Sequence, residues 1–111
     1  MRPISKIIIQ IVDIENVEAL TAKHIEEGMP MVGFHYMIEK DASVHYGRSI
    51  NDIGNHCINE NAASIGIAVI GEDISTQQGK VLDELIEEIG LKVLNETGIF
   101  IVEDGELKKY K

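Results

Sequence analysis

Ile4 to Val12 is a short run dense in isoleucine, bounded by Pro3 and Asp13. β-branched side chains pack well on a pleated surface, so this run predicts a buried strand. The spacing then changes. Asp13 or Asn16 can cap a helix running through Val17, Leu20, Ala22 and Ile25 to Glu27, with Gly28 as its stop. Pro30 cannot continue that helix, having no amide proton. Gly33 to Glu39 and Ser43 to Gly47 flank Lys40-Asp41-Ala42 and predict a hairpin; a left-handed position would strain Ala42, which favours a different turn type. If Lys40 pairs with Ser43, Ile38 faces His45, and His35 and His45 fall on opposite faces of the sheet.

Residues 49–63 hold Asn51, Asp52, Gly54, Asn55, Asn59 and Asn61 without periodicity and are expected to form an ordered loop. Ser64 to Gly71 is an apolar strand, expected at the centre of the sheet. Ser75 followed by Gln78 has the spacing of a capping box. Beyond it Val81, Leu82, Leu85, Ile86, Ile89, Val93 and Leu94 recur at helical spacing, with Asp83, Glu84, Glu87 and Glu88 opposite. Gly90 is expected to weaken the second half of that helix. Ile99 to Val102, Asp104-Gly105 and Leu107 to Tyr110 read as a terminal strand or hairpin. The order β-α-β-β-β-α-β predicts an α/β fold: one domain over 1–111, with a mixed β-sheet of about five strands and two main helices packed on it.

Composition narrows the function classes. A chain of 111 residues with 44% hydrophobic content and two prolines is sized for one folded core. A net charge of −9 argues against nucleic acid, whose phosphates need clustered Lys and Arg. The single cysteine, Cys57, offers no internal disulfide, which suits a reducing compartment. The apolar run from Ile7 to Val12 is too short for a signal peptide or a membrane helix, so a cytoplasmic protein without a membrane partner is expected.

Several segments in order carry a resemblance. Met1-Arg2-Pro3-Ile4 leads into Ile7-Ile8-Ile9; then come Gly33-Phe34-His35-Tyr36, Val44-His45-Tyr46-Gly47-Arg48, Ile53-Gly54-Asn55-His56 and Asn61-Ala62-Ala63-Ser64-Ile65-Gly66. Together they resemble the zinc-dependent N-acetylmuramoyl-L-alanine amidases, which cleave peptidoglycan and include phage lysozyme-type amidases and peptidoglycan recognition proteins. Val-x-x-Gly-Arg and Asn-x-x-Ser-Ile-Gly are signatures of that family, and Ser75 with Gln78 resembles its Thr-x-x-Gln. The resemblance implies an amidase-like fold with a groove above the sheet, in a bacterium or a phage-infected cell.

The departures fall on the chemistry. The family holds zinc with a histidine at the end of its first strand and with a histidine plus a cysteine or aspartate near the C-terminus. Here the first position reads Gln10, and Ile99 to Gly105 offers only Glu103 and Asp104. Catalytic zinc takes about three protein ligands and an open site for water, and an amide oxygen is a poor substitute for imidazole. Phe34 stands where the family has a tyrosine, so the assisting hydroxyl is gone. No cofactor and no catalytic residue are therefore expected.

Nor do the remaining histidines suggest another ion: His24 reads as a surface residue, and His35 and His45 as diverging. His56 and Cys57 are adjacent, which rarely gives nucleophile–base geometry, and a buried thiol is the simpler expectation for Cys57. Asn61, Ser64 and Gly66 are expected to shape the corner into the following strand. The expected function is ligand binding without cleavage, in a groove lined by Gln10, Phe34, Tyr36 and His56, with Arg48 as a source of positive potential. A peptidoglycan fragment is the first candidate, and a diffusible metabolite or nucleotide signal sequestered by a phage protein the second. An amidase recruiting zinc by another route is the enzymatic rival, and a homo-oligomer pairing through Ile99 to Val102 the interaction rival.

Overall fold

The computed structural model describes residues 2–93 and 97–110. Strand β1 (Lys6–Val12) is followed by helix α1 (Val17–Glu26), the hairpin β2 (Tyr36–Ile38) and β3 (Val44–Tyr46), and a short 3-10 turn at Asn61–Ala63. Then come β4 (Ser64–Ile70), helix α2 (Thr76–Lys92), and the hairpin β5 (Gly98–Glu103) and β6 (Glu106–Lys109). The six strands lie in the order β3-β2-β4-β1-β5-β6. The inner strands are mutually parallel, and β3 and β6 close the edges antiparallel. The sixth strand is the second arm of the terminal hairpin.

One helix covers each face. Ile7 and Ile9 of β1 and Ile65, Ile67 and Val69 of β4 pack with Leu82, Leu85, Ile86 and Ile89 of α2. Met37, Ala68 and Ile70 pack with Leu20 of α1. Alternation along β1 therefore sends Gln10, paired opposite Ala68, to the α1 side.

Local signals explain the ends of the elements. Asn16 rather than Asp13 caps α1, its Oδ1 accepting from Ala19 N–H at 2.8 Å. Gly28 leaves the helix with a φ of 98°. At α2 the capping box closes both ways: Gln78 N–H donates to Ser75 Oγ and Ser75 N–H to Gln78 Oε1, each at 3.1 Å. Ala42 takes a left-handed position despite its Cβ, with a φ of 70°, in a turn that Asp41 Oδ1 holds by accepting from Ser43 N–H and Oγ–H.

Three expectations need correction. Gly90 does not break α2, which continues to Lys92 with Gly90 on its exposed side; Leu94 lies outside the described residues. The hairpin register is shifted: Ile38 pairs with Val44 and Met37 with His45, because Lys40 belongs to the turn. With His45 opposite Met37 of the α1 face, the expected split of His35 and His45 between opposite faces loses its basis; what separates them is burial, His35 being buried and His45 exposed. Finally, β5 is paired on both sides, with β1 and β6, so Ile99 to Val102 has no free edge for a second copy.

Candidate functional site

On the α1 face a cavity of about 260 Å³ opens between β1, α1 and the loop before β4; Gln10, Leu20, His24, Phe34, His56 and Cys57 are among its lining residues. Gln10 comes from the sheet, His24 from α1, and His56 from the loop. The loop is folded onto the strand by Asn61, whose Oδ1 accepts from the backbone N–H groups of both His56 and Cys57 at 3.0 Å. The His56 ring then lies against the backbone of Gly66, where an added Cβ would come within 2.5 Å of ring carbons. That is the physical reason for glycine in the Ser-Ile-Gly segment. Phe34 sits between two imidazoles, stacked on His24 with centroids 5.8 Å apart and on His56 at 5.6 Å.

Hydrogen bonds fix the tautomers. Gly33 N–H donates to His24 Nδ1 at 2.8 Å, so the proton of a neutral His24 is on Nε2. Gly66 N–H donates to His35 Nδ1 at 3.0 Å, and His35 Nε2–H donates to the carbonyl of Asp52 at 2.8 Å. Arg2 Nη2 approaches that same His35 nitrogen at 3.1 Å, but two donors cannot bond, and its acceptor is the Ser64 carbonyl at 2.7 Å. Ser64 Oγ–H donates to the Glu60 carbonyl at 2.7 Å, leaving its oxygen to accept from His56 Nε2–H at 3.4 Å. His56 Nδ1 is then a bare lone pair.

That lone pair is buried and has no partner in the protein. The other buried side-chain N or O atom without a partner, among the described residues, is Gln10 Oε1. Both belong to residues of the same cavity. Burial keeps His24 and His35 below the usual imidazole range. It pushes His56 down to about 3, with the charges of His35, Arg2 and Arg48 adding in the same direction. The cavity wall is therefore neutral imidazole near neutral pH. Burial, then Glu60, pushes the Cys57 thiol up, which makes it a poor thiolate.

The zinc implied by the resemblance does not fit these residues. His24 and His35 each commit Nδ1 to a backbone N–H, and Gln10 supplies an amide oxygen. Among the described residues no group of three His, Cys, Asp or Glu side chains is placed to hold a metal.

Of the site residues expected from sequence, the fold brings Gln10, Phe34 and His56 together. Tyr36 is excluded: it is buried on the α2 face, with its ring against Tyr46 at 5.6 Å. Arg48 does not line the cavity either. Its Nε–H donates to the Val32 carbonyl at 2.9 Å and its Nη1 to the Ile53 carbonyl at 3.0 Å, so it ties the loop to the segment before β2. His24, expected at the surface, is only 8% exposed and is part of the wall. Its spacing of four from Leu20, which puts both on one helix face, was the available signal.

A mixed six-stranded sheet with a helix on each face and a cavity beside the first strand is the fold of N-acetylmuramoyl-L-alanine amidases and peptidoglycan recognition proteins. Among solved structures, the ectodomain complex of peptidoglycan recognition proteins LCa and LCx with tracheal cytotoxin superposes with a TM-score of 0.84 at 20% identity, covering 99% of this chain and 78% of that one. The N-acetylmuramoyl-L-alanine amidase LysC of Clostridium intestinale superposes at 0.76 with 24% identity, covering 96% and 78%. In sequence, the endolysin of Klebsiella phage KP32 is 35% identical over 48 residues, 43% of this chain and 32% of the relative. Peptidoglycan-recognition protein SC1a/b of Drosophila simulans is 34% identical over 55 residues, 49% and 30%. The matched stretches thus span about a third of these curated relatives. No family profile matches the chain. Sequence and structure together support the amidase and peptidoglycan recognition family that the motifs indicated.

Proposed function

We propose that this protein binds a peptidoglycan fragment in the cavity at Gln10 and His56 without cleaving it. The observation that carries the reading is the pair of buried, unpaired acceptors on two residues that line a preformed cavity. A buried polar atom left without a partner costs about 1–3 kcal/mol, which a bound ligand recovers. The fold adds support, since the LCa and LCx complex holds tracheal cytotoxin.

Binding rather than hydrolysis follows from the donor set. Amide cleavage in the family depends on a zinc-bound water whose pKa falls to about 7. Gln10 and His56 offer that ion at most one amide oxygen and one imidazole nitrogen, short of the three protein ligands it takes. His56, with its pKa near 3, is too weak a base to activate water unaided. Phe34 offers an apolar ring and no hydroxyl.

The test is calorimetric titration of the full chain with soluble muropeptides, alongside assay of peptide release from purified peptidoglycan. Saturable binding without release is expected. Release of peptide by the wild-type chain, or no muropeptide binding at millimolar concentration, overturns the reading.

A further inference from the structure

We infer that the cavity grips a primary carboxamide on its ligand, Gln10 Oε1 and His56 Nδ1 accepting the ligand's N–H groups. The inference rests on the binding reading above and names the chemical group bound.

Gln10 Oε1 and His56 Nδ1 have no protein partners and belong to residues that line this cavity, and His56 Nδ1 is held as an acceptor. The Ser64–Glu60 hydrogen bond holds His56 in the tautomer with a bare Nδ1. Burial opposes the second proton that would make that nitrogen a donor. A carboxylate would bring further lone pairs against these acceptors and leave all of them unpaired. An ammonium has donors, but it would share the cavity with Lys23 and lie within the fields of Arg2 and Arg48 that already act on His56. A primary carboxamide is neutral and planar, and it carries two N–H donors on one nitrogen.

The polarity is opposite to that of a metal centre. A zinc ion presents positive charge and draws a carbonyl oxygen toward it. Gln10 and His56 present negative lone pairs and draw the nitrogen. A ligand with an amide therefore enters this chain's cavity nitrogen first.

Benzamide, N,N-dimethylbenzamide and benzoate separate the possibilities, because they share a ring and differ only in the head group. Titrated into the full-length chain and followed by the nitrogen resonances of the His56 ring, benzamide is expected to bind at least about tenfold more tightly than either other probe. It is also expected to move the Nδ1 resonance away from its bare lone-pair position. Gln10→Leu should abolish that preference, and the wild-type series decides the matter even if the variant fails to fold. Equal affinity for the dimethyl amide, preference for benzoate, or no binding by any of the probes overturns the inference. Benzamide preference without muropeptide binding sinks the peptidoglycan reading and leaves this inference standing. Muropeptide binding without benzamide preference does the reverse.

Discussion

His56 makes acid stability a sensitive probe of the site. Its pKa is about 3 in the folded chain against an ordinary 6.5. Folding favours the neutral ring, so as pH falls the unfolded chain takes up the proton first. The associated stability is complete above 6.5 and is lost progressively toward 3. At ~1.36 kcal/mol for each pH unit of that gap, the loss between pH 7 and pH 5 is about 2 kcal/mol. His24 and His35, held low by burial, add in the same direction. Urea denaturation at pH 7, 6 and 5 reads the effect directly. The wild type should lose about 2 kcal/mol or more, and His56→Asn should remove about 2 kcal/mol of that slope whatever its stability at pH 7. Equal stability at pH 7 and 5, or an undiminished slope in the variant, would refute the buried neutral imidazole.

Gly66→Ala should destabilise by about 1–3 kcal/mol in chemical denaturation, since its Cβ meets the His56 ring, and the cost should shrink in a His56→Ala background. Ala42→Gly should raise the free energy of unfolding by about 0.5 kcal/mol, because the left-handed turn position then carries no Cβ; a lower value would contradict the strain argument. Gln10→His should release no peptide from purified peptidoglycan with or without added zinc, and metal analysis should find no stoichiometric zinc in either form. Zinc-dependent cleavage by that single variant would mean that a metal site exists among these residues.

What the sequence disclosed was local. The α2 capping box and the Asn16 cap depend on a few neighbouring residues and on backbone sterics, and each was legible; the left-handed turn at Ala42 was not, because the sterics argued against it. The hairpin register was not, because Asp41 draws Ser43 into the turn and moves the pairing by one position. Tyr36 was expected in the groove with Phe34, but Phe34 packs on the α1 side and Tyr36 on the α2 side. Two-residue parity holds only inside a strand, and β2 starts at Tyr36. His24 was hidden because a ten-residue helix with one strongly buried leucine defines its inner face poorly. The unpaired Nδ1 of His56 was beyond reach, since it depends on a hydroxyl that itself bonds to Glu60.

The floor and the wall of the cavity are held by different means. Gln10 sits in a strand hydrogen-bonded on both sides, whereas the loop bearing His56 is fastened largely by side chains: Arg2 to the carbonyls of Ile50, Ala62 and Ser64, and Arg48 to those of Val32 and Ile53. Guanidinium ties can release without unzipping a ladder, so the loop should breathe at a lower free energy than global unfolding. Amide hydrogen exchange will register this as fast turnover at Asn55 and His56 beside slow turnover at Ile9 and Ile67. A ligand clasped by both Gln10 and His56 bridges the two regimes. It should slow exchange in the loop while leaving the strands unchanged.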